Sequence, residues 1–456
     1  MSRTGALERL ARVVEDFARQ PDFISLAGQI TEISPGFCKV AGLSQAVKLG
    51  DYVTLPHEDH LTLGEILRID AGSVTVKFFT PTANLSLGSY VRHFGRLALR
   101  PHISWKGRVI NALGQPVDDG AALLSGPDSF NINANPPNAM RRGRVSTKIM
   151  TGIRVIDCFT PICAGQRLGI FAGSGVGKST VMSMMSRASG FDSVVIGLIG
   201  ERGREVREFL EDALGDNKAN TVCVVATGDE SPMMRRLAPK TATTIAEFFR
   251  SRGDNVLLIL DSVTRFAHAA RDVAMAAGEP AVARGYPPSI FSDLPKLLER
   301  SGPGESGTGT ITGIYSVLID ADNHNDPIAD AIRGTLDGHI VLDRAIADQG
   351  RYPAMNILGS ISRLAHHVWS PEERELILKL KAMIARFEDT RDLRLMGGYQ
   401  SGMDPELDRA VEMVPKIYAV MTQSPFSPPS GDPFRDLADA LRNTRNHAAE
   451  ASIASA

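Results

Sequence analysis

The fold of this 456-residue chain is decided by the stretch Leu168-Gly-Ile-Phe-Ala-Gly-Ser-Gly-Val-Gly-Lys-Ser-Thr180. An apolar run typical of a buried strand leads into a glycine-rich turn, after which Val181, Met182, Met184 and Met185 indicate a helix. Glycines let successive backbone N–H groups curl around a phosphate, and the following helix presents its free N–H groups and positive dipole end to the anion. The stretch therefore predicts a phosphate-binding P-loop.

The P-loop residues have separate expected roles. Lys178 can reach the β- and γ-phosphates of a nucleotide, and the Ser179 hydroxyl can ligate Mg²⁺. The first position of the motif holds Ala172 instead of glycine, a minor change because alanine is also small. The turn does not match the dinucleotide pattern GxGxxG. We expect the nucleotide cradle to consist of Ala172, Gly173, Ser174, Gly175, Val176, Gly177, Lys178, Ser179 and Thr180.

Two acidic residues follow other apolar runs. Asp261 ends the run Asn255–Asp261, where a parallel strand would open onto the site, and we predict that it holds the Mg²⁺ shell. Glu201 follows the run Val194–Ile199 and can face the γ-phosphate as the group that activates water, while Arg202 could bind phosphate oxygens. On the residues taken by themselves, Asp261 could instead start a turn or cap a helix, and Glu201 could be a solvated residue at a helix N-terminus.

Around the P-loop, over residues 96–370, apolar runs alternate with helical stretches such as Glu205–Leu214 and Thr241–Arg250. This alternation predicts a mostly parallel sheet covered by helices. The predicted strands are Leu168–Phe171, Val194–Ile199, Val222–Ala226, Val256–Leu260, Ile314–Ile319 and His339–Leu342.

The segments before the P-loop domain have other periodicities. Over residues 21–95 the apolar period is two, with Gly, Pro and Asp between the runs, which predicts a small β-barrel. Residues 1–20 show helical periodicity, and this predicted helix could pack on its own protein or bind a partner.

The last segment, residues 371–456, is predicted to be a helical domain with a flexible tail. A linker is expected at 425–433, followed by a short helix. Four apolar residues recur at helical spacing in the first part of the segment: Leu376, Leu380, Ile384 and Phe387.

Composition argues against several classes of protein. The 50 basic and 52 acidic residues give a net charge of −2, so no global basic excess points to nucleic acid. None of the four cysteines has CxxC spacing, which argues against a disulfide framework or structural zinc. No apolar run approaches the roughly 18–20 residues of a membrane helix, and the N-terminal segment has no signal-peptide core. We therefore expect a cytoplasmic protein.

Seven motifs occur in order and together resemble a known family. They are GIFAGSGVGKST, GLIGERGREVREF, VLLILDSVTRFAHA, GYPPSIF, DPIADAIRGTLDGHIVLDR, RYPAMNILGSISR and GYQSGMDPELDRAV. The chain resembles the export ATPase of the bacterial flagellum and related type III secretion systems, which is similar to the catalytic β subunit of rotary ATP synthases. The resemblance covers residues 22–420 and is weak outside them. It implies an N-terminal β-barrel, a central RecA-like P-loop domain with a parallel sheet, and a C-terminal helical domain.

The resemblance also implies site residues. The chain would be a translocase-class ATP hydrolase that uses ATP and Mg²⁺, with Glu201 as the carboxylate that activates water and Asp261 as the Walker B acid. Arg202 and Arg265 would lie near the γ-phosphate. Tyr352 would stack on or beside the adenine, although on the residues taken by themselves a packed core aromatic is the alternative.

By the same resemblance, Arg363 would be an arginine finger inserted into the next subunit's site. In phosphoryl transfer, negative charge is spread over the oxygens of the transferred group in the transition state. A cation that enters from outside the pocket can stabilise this charge. One chain carries Lys178, Glu201 and Arg363, so identical copies can complete each other's sites, which implies a homo-oligomeric, hexameric ring. On the residues taken by themselves, a surface arginine is the alternative.

The family resemblance implies several partners. These are a dimeric regulator at the N-terminal helix, a coiled-coil stalk, export chaperones and their substrates, and a membrane export gate with peripheral association at the inner membrane. Nucleic acid is not expected. The alternatives are a rotary proton-translocating ATP synthase subunit, a non-catalytic nucleotide-binding subunit and a hexameric RNA or DNA translocase. Glu201 and Arg363 in one chain, together with Ala172 in the loop, disfavour the first. Glu201 disfavours the second, and a barrel without a clustered basic and aromatic stripe disfavours the third.

Overall fold

The computed structural model describes residues 25–56, 61–80, 85–145, 147–305, 307–319 and 326–442. The predicted N-terminal helix and most of the predicted C-terminal tail lie outside the described residues. The described chain divides into two compact units. One unit holds the residues up to Leu97 together with Ala276–Gly278, and the other holds Ala98–Met275 and the residues from Glu279 onward.

The first unit is a closed six-stranded barrel, as the period-two pattern predicts. The strands follow the order β1-β2-β5-β4-β3-β6, and β6 pairs with β1 to close the barrel, so that no strand edge is left open. Alternate residues such as Ile30, Val40 and Val74 fill the interior. The strands are β1 (Ala27–Ser34), β2 (Phe37–Ala41), β3 (Tyr52–Pro56), β4 (Leu61–Ile69), β5 (Ser73–Phe78) and β6 (Tyr90–Gly95).

The second unit is built on a nine-stranded sheet. Its order is β19-β18-β12-β17-β15-β13-β14-β8, and β16 pairs with β17 off this path. All of these pairings are parallel except those of β19 and β16, and each of the six predicted strands lies in this sheet. The strands of this unit are β7 (Ala98–Leu99), β8 (Val109–Asn111), β9 (Phe130–Asn131), β10 (Lys148–Ile149), β11 (Ile162–Cys163), β12 (Arg167–Ala172), β13 (Ser193–Ile199), β14 (Thr221–Ala226), β15 (Asn255–Asp261), β16 (Gly302–Pro303), β17 (Thr310–Leu318), β18 (Gly338–Leu342) and β19 (Ile361–Ser362).

Helices follow most of the sheet strands. They are α1 (Arg154–Phe159), α2 (Lys178–Ser186), α3 (Gly203–Glu208), α4 (Pro232–Ser251), α5 (Val263–Ala276), α6 (Pro288–Leu298), α7 (Pro327–Thr335), α8 (Arg344–Ala347), α9 (Pro371–Asp389), α10 (Arg391–Leu395), α11 (Pro405–Met421) and α12 (433–442). The described helices include none that is both long and apolar enough to cross a bilayer.

One predicted helix is only partly α-helical. The stretch Glu205–Leu214 was expected to be a single helix, but the α-helix ends at Glu208 and a π-helical turn follows over Phe209–Ala213. Phe209 and Leu214 are both buried although they are five residues apart. A π-turn has more residues per turn than an α-helix, so it turns both side chains toward the core.

The C-terminal helices share the hydrophobic core of the sheet. Ile384 on α9 and Val414 on α11 belong to the same buried cluster as the sheet residues Ile170 and Ile259. A Ser370–Glu373 capping box starts α9. The buried face of α9 consists of Ile377, Leu380 and Ile384, whereas Leu376, which was expected on this face, is 42% exposed.

Candidate active site

The P-loop joins β12 to α2 at the carboxyl end of the parallel sheet. β12 lies between β17 and β18, and its last residue, Ala172, is buried. Gly175 and Gly177 adopt positive φ angles of 78° and 91°, and Gly177 is the residue that precedes α2. A residue with a β-carbon would be strained in this left-handed region, so the curled turn requires glycine at both positions.

Lys178, the first residue of α2, lies between two carboxylates. Its Nζ atom is 2.5 Å from Asp261 Oδ1 and 3.6 Å from Glu201 Oε1. Asp261 ends β15, and Glu201 follows β13 after Gly200, so the carboxyl ends of neighbouring parallel strands bring both acids to the loop. The three side chains have one positive and two negative charges. This balance leaves a net negative charge, which suits a divalent cation beside the lysine.

The donor set for such a cation lines one cavity. Ser179, Glu201 and Asp261 all line a cavity of about 370 Å³ next to the loop. Asp261 Oδ1 also accepts a hydrogen bond from Ser316 Oγ at 2.8 Å, which fixes the carboxylate from the neighbouring strand. A hydroxyl and a carboxylate are oxygen donors of the kind that Mg²⁺ uses together with water and phosphate. These residues therefore fit Mg²⁺.

The surroundings of Glu201 raise its pKa. Burial and the negative charge of Asp261 raise the pKa of Glu201, the positive charge of Lys178 lowers it, and a hydrogen bond with Glu205 raises it further. Among the described residues, no donor bonds to the buried Glu201 Oε1 atom. A buried acceptor in a cavity is satisfied by water. The geometry thus gives Glu201 an oxygen that can hold a water molecule.

Glu205 is a site residue that the sequence analysis did not single out. It lies on α3 and lines the same cavity as Glu201, and the two carboxyl groups share a hydrogen bond. Its Oε1 atom is also 3.6 Å from Arg202 Nη1. The one sequence feature that could have indicated Glu205 is its spacing of four residues from Glu201, across the turn into α3. Glutamates at this spacing are equally common where a helix begins in solvent.

The two arginines expected near the γ-phosphate lie in different environments. Arg202 precedes α3 with a side chain that is 82% exposed, and it pairs with Glu205. Arg265 lies on α5 against Gly200, and its buried Nε atom has no hydrogen-bond partner in the described part of the chain. Its positive charge lowers the pKa of Glu201, which places it electrostatically within this site.

A second cavity, of about 400 Å³, lies beside Tyr352 and the P-loop residue Gly177. The Tyr352 side chain is 41% exposed, and its ring faces Gly177, so that an added β-carbon on Gly177 would lie 3.5 Å from the ring. An open, mainly apolar space beside an accessible aromatic ring suits a planar base. The cavity is lined by Gly177, Thr180, Val181, Met184, Gly350, Tyr352, Pro353, Thr422, Gln423, Ser424 and Pro425.

Residues 422–425 of this cavity were missed because Pro425 was expected to start a linker. Gln423 is 3% exposed and is held by hydrogen bonds to Gly152 O at 2.9 Å and from Arg154 N at 3.1 Å. Its backbone N–H donates to Tyr352 O at 2.8 Å. These contacts span about 70 and 270 residues of chain, so no local pattern reveals them.

Arg344 was also missed. It begins α8, and its Nη2 atom donates to the Ser174 carbonyl of the P-loop at 2.6 Å. Together with the Tyr352 ring against Gly177, this bond supports the loop from the segment that follows β18. In the sequence, Arg344 follows the predicted strand His339–Leu342 closely. An arginine in such a position is common and does not by itself predict a contact with the P-loop.

Arg363 lies away from the P-loop of its own chain. It directly follows β19, where Ser362 pairs with Gly338 at the start of β18, whereas Ala172 at the P-loop pairs with Leu342 at the end of β18. Four residues of strand separate these two points by about 13 Å, before the lengths of the loop and the side chain are added. Arg363 is exposed, and no ion pair or side-chain hydrogen bond engages it within the described ranges. The structure therefore brings together the other site residues and not this one.

The sequence and the fold of this chain match those of known proteins. Residues 152–362 match the model of the ATP synthase alpha/beta family, nucleotide-binding domain, and residues 369–441 match the T3SS EscN ATPase C-terminal domain. The flagellum-specific ATP synthase of Rhizobium meliloti (strain 1021) is 55% identical over 438 residues, which cover 96% of this chain and 94% of that relative. The chain belongs to the family of flagellar and type III secretion export ATPases.

Other relatives in the export ATPase family come from both kinds of secretion system. The type 3 secretion system ATPase of Xanthomonas euvesicatoria is 40% identical, with 87% of this chain and 89% of the relative covered. The assembled ATPase EscN of the enteropathogenic E. coli type III secretion system matches with a TM-score of 0.84 and 39% identity, and covers 91% of this chain and 99% of EscN. This protein is thus an ATP hydrolase of the export family with the barrel, sheet and helical architecture of EscN.

Proposed function

We propose that this protein couples Mg-ATP hydrolysis to the export of flagellar or type III secretion substrates. The observation that carries the proposal is the position of Lys178 between Glu201 and Asp261 at the end of the P-loop. Curled glycines, a phosphate-contacting lysine and two strand-end carboxylates are the parts that phosphoryl transfer to water requires. Family membership supports the link to export.

Each residue has a defined task in the proposed mechanism. The loop N–H groups and Lys178 bind the phosphates, while Ser179 and Asp261 hold Mg²⁺ directly or through water. Bound Mg²⁺ would neutralise charge that develops on the phosphate oxygens. Glu201 orients a water molecule on its buried oxygen and takes its proton, which its raised pKa favours. The cavity beside Tyr352 receives the adenine.

The proposed reaction is completed by a second copy of the chain. Arg363 is exposed at the amino end of the sheet and cannot reach its own P-loop, so its charge is available to a neighbouring site. A closed ring of identical subunits places every Arg363 at a neighbour's nucleotide, and we propose a homohexamer. EscN, to which this chain is similar, has been solved in an assembled state, which supports an oligomer.

The proposed partners follow from the family. EscN has been solved in complex with its central stalk EscO, and this chain matches that structure with a TM-score of 0.82. We propose an equivalent coiled-coil stalk here, with a dimeric regulator at residues 1–20, export chaperones with their substrates, and a membrane export gate. The protein would then work in the cytoplasm, peripherally associated with the inner-membrane export apparatus.

Two measurements test the proposal. The purified chain should form a ring that hydrolyses ATP in the presence of Mg²⁺ without another type of subunit. In a strain that lacks the gene, the wild-type chain should restore export of flagellar or type III substrates, and Glu201→Gln should not. Hydrolysis that requires a second, different subunit would favour a rotary synthase. Full export with the Glu201→Gln variant would contradict the coupling of hydrolysis to export.

A further inference from the structure

The strand that immediately precedes the proposed finger, β19, is very short. β19 has two residues, at the outer edge of the sheet, and within the described ranges it pairs with Gly338 and His339 of β18. The Ile361 side chain is 50% exposed, so little apolar burial anchors the strand. A strand this short at a sheet edge needs further contacts to keep one position.

On the amino-terminal side of β19, the buried Ser360 Oγ accepts a bond from Val341 N at 3.0 Å. On the side of the finger, contacts come from Gln166, the residue just before β12. Its side chain is fully buried, and its Oε1 atom accepts a hydrogen bond from Cys163 N at 2.9 Å. Its Nε2 group donates to Ser362 Oγ at 3.0 Å and to Asp337 O at 3.3 Å. The amide therefore bridges the main sheet and the residue that immediately precedes Arg363.

Asp337 holds the other side of the finger. Its carbonyl accepts from Arg363 N at 2.9 Å as well as from Gln166, and its own N–H donates to Arg167 O at 2.9 Å. Its carboxylate receives both Nε and Nη2 of Arg167 at 3.0 Å, the paired geometry that fixes orientation best. Gln166, Arg167 and Asp337 thus form a rigid group, here called the finger seat, under Ser362 and Arg363.

We propose that Gln166 is a positioning residue for the arginine finger, an inference that rests on the proposed role of Arg363 in the neighbouring site. An amide is required because this one side chain must accept from Cys163 N and donate to Ser362 and Asp337. The seat adjoins the start of β12, the strand whose other end carries the P-loop. One strand therefore supports both the nucleotide loop of its own site and the finger that serves the next one.

Two variants test the seat. Gln166→Met keeps the approximate volume but removes the donors and the acceptor, and Ser362→Ala removes one contact with little risk to folding. Displacing a catalytic group by about 1 Å can cost up to about 100-fold in rate, so we expect Gln166→Met to lower kcat at least tenfold and Ser362→Ala to lower it less. Affinity for a non-hydrolysable ATP analogue should be unchanged in both, because the P-loop is intact.

Mixed rings separate positioning from general damage. A Gln166→Met subunit has an intact P-loop, and a Lys178→Ala subunit has an intact finger, so their mixture should hydrolyse ATP faster than either variant by itself. A mixture of Gln166→Met with Arg363→Ala should gain nothing, because both lack a working finger. Thr241→Val, which removes a buried hydroxyl that donates to Ala112 O elsewhere in the sheet unit, is the matched control and should keep the wild-type kcat.

The results of these experiments separate the proposed role of Gln166 from the proposed role of Arg363. Suppose first that Arg363→Ala does gain activity when it is mixed with Lys178→Ala. Three results would then each overturn the proposed role of Gln166: unchanged kcat in folded Gln166→Met rings, weakened binding of the ATP analogue by this variant, or no gain when it is mixed with Lys178→Ala. If Arg363→Ala also fails to gain in verified mixed rings, the finger in trans is wrong and the seat is overturned with it. ATP hydrolysis by the wild-type ring would still support the rest of the proposed function.

Discussion

The ammonium group of Lys178 lies 2.5 Å from the carboxylate of Asp261, although 83 residues of chain separate them. Both side chains are almost fully buried, so this contact is made away from bulk water. An ammonium that is already held at the carboxylate needs little reorganisation when phosphate arrives. Lys178, the proposed phosphate contact, and Asp261, the proposed metal contact, therefore lie in one site.

Replacing Lys178 with alanine should weaken nucleotide binding and abolish turnover. The variant loses a charge-assisted contact to the phosphates, which corresponds to roughly 10- to 100-fold in affinity, and it leaves Glu201 and Asp261 without their shared counter-ion. Titration with a fluorescent ATP analogue measures the affinity. Lys379→Ala, which removes an exposed lysine paired with Glu375, is the control and should bind normally. Wild-type affinity in Lys178→Ala would contradict the phosphate contact.

Glu201→Gln should retain ATP binding and lose hydrolysis. The amide keeps the size of the side chain but cannot take a proton from water, so we expect kcat to fall by about 10²–10⁴-fold. Single-turnover hydrolysis, measured beside ATP binding, separates the two steps. Glu211→Gln, on the same stretch of chain but paired with Arg207 in solvent, should be unaffected. An unchanged kcat in Glu201→Gln would reject the glutamate as the base.

Arg363→Ala should lose activity as a pure ring and regain part of it in mixed rings. A finger contributes about 10³–10⁵-fold to kcat in other phosphoryl-transfer enzymes, and its own chain's P-loop is out of reach. Mixing with Lys178→Ala subunits rebuilds some intact interfaces, which a steady-state ATPase assay detects. Activity that stays at the level of the separate variants, in rings verified to be mixed, would exclude a finger supplied in trans.

Arg344→Ala should raise the KM for ATP, by an amount on the order of tenfold, with little change in kcat. The variant loses the bond from Arg344 Nη2 to the Ser174 carbonyl, which supports the P-loop without touching the reacting atoms. The ATPase rate as a function of ATP concentration gives both constants. Arg435→Ala, an exposed arginine paired with Asp439 on α12, should change neither. A fall in kcat at constant KM would show that Arg344 acts on the reaction instead.

Stability should depend on pH through Asp157. This residue is fully buried, and its carboxylate accepts hydrogen bonds from Thr151 N, Thr151 Oγ1 and Gly152 N. Burial raises its pKa from 3.8 to about 6 in spite of these bonds. The folded protein then binds more protons than the unfolded chain, so the contribution of Asp157 is present below about pH 4 and is lost as the pH rises through about 6.

The direction of this pH dependence can be tested by urea unfolding of the wild type and of Asp157→Asn from pH 4 to pH 7. The stability advantage of the wild type should shrink as the pH rises, by an amount on the order of 3 kcal/mol. Asp118→Asn is an informative control, because Arg108 lowers the pKa of Asp118 to about 2. The contribution of Asp118 is lost only as the pH falls below about 4, so its advantage should stay nearly constant over the measured range. An advantage of Asp157 that grows with pH would contradict the raised pKa of Asp157.

Much of the architecture could be predicted because it follows from local periodicity. All six predicted strands occur in the parallel sheet, and the period-two segment forms a closed barrel. The predictions were weaker where packing overrides local pattern. The π-turn at Phe209–Ala213 interrupts an apparently continuous helix, and α9 buries Ile377 in place of Leu376. Both differences depend on which surface the segment packs against, which periodicity does not specify.

The sequence by itself determined the P-loop, because glycines that permit positive φ and a lysine at the start of a helix act within a few residues. It also determined the strand that Glu201 follows and the strand that ends in Asp261, and it supported membership of the export family through ordered motifs. Only the tertiary structure decided that these acids meet Lys178, because the order of strands in a sheet is set by long-range packing. The same packing placed Arg363 at the far end of the sheet, brought Gln423 to the cavity beside Tyr352 and set Gln166 against Ser362 of β19.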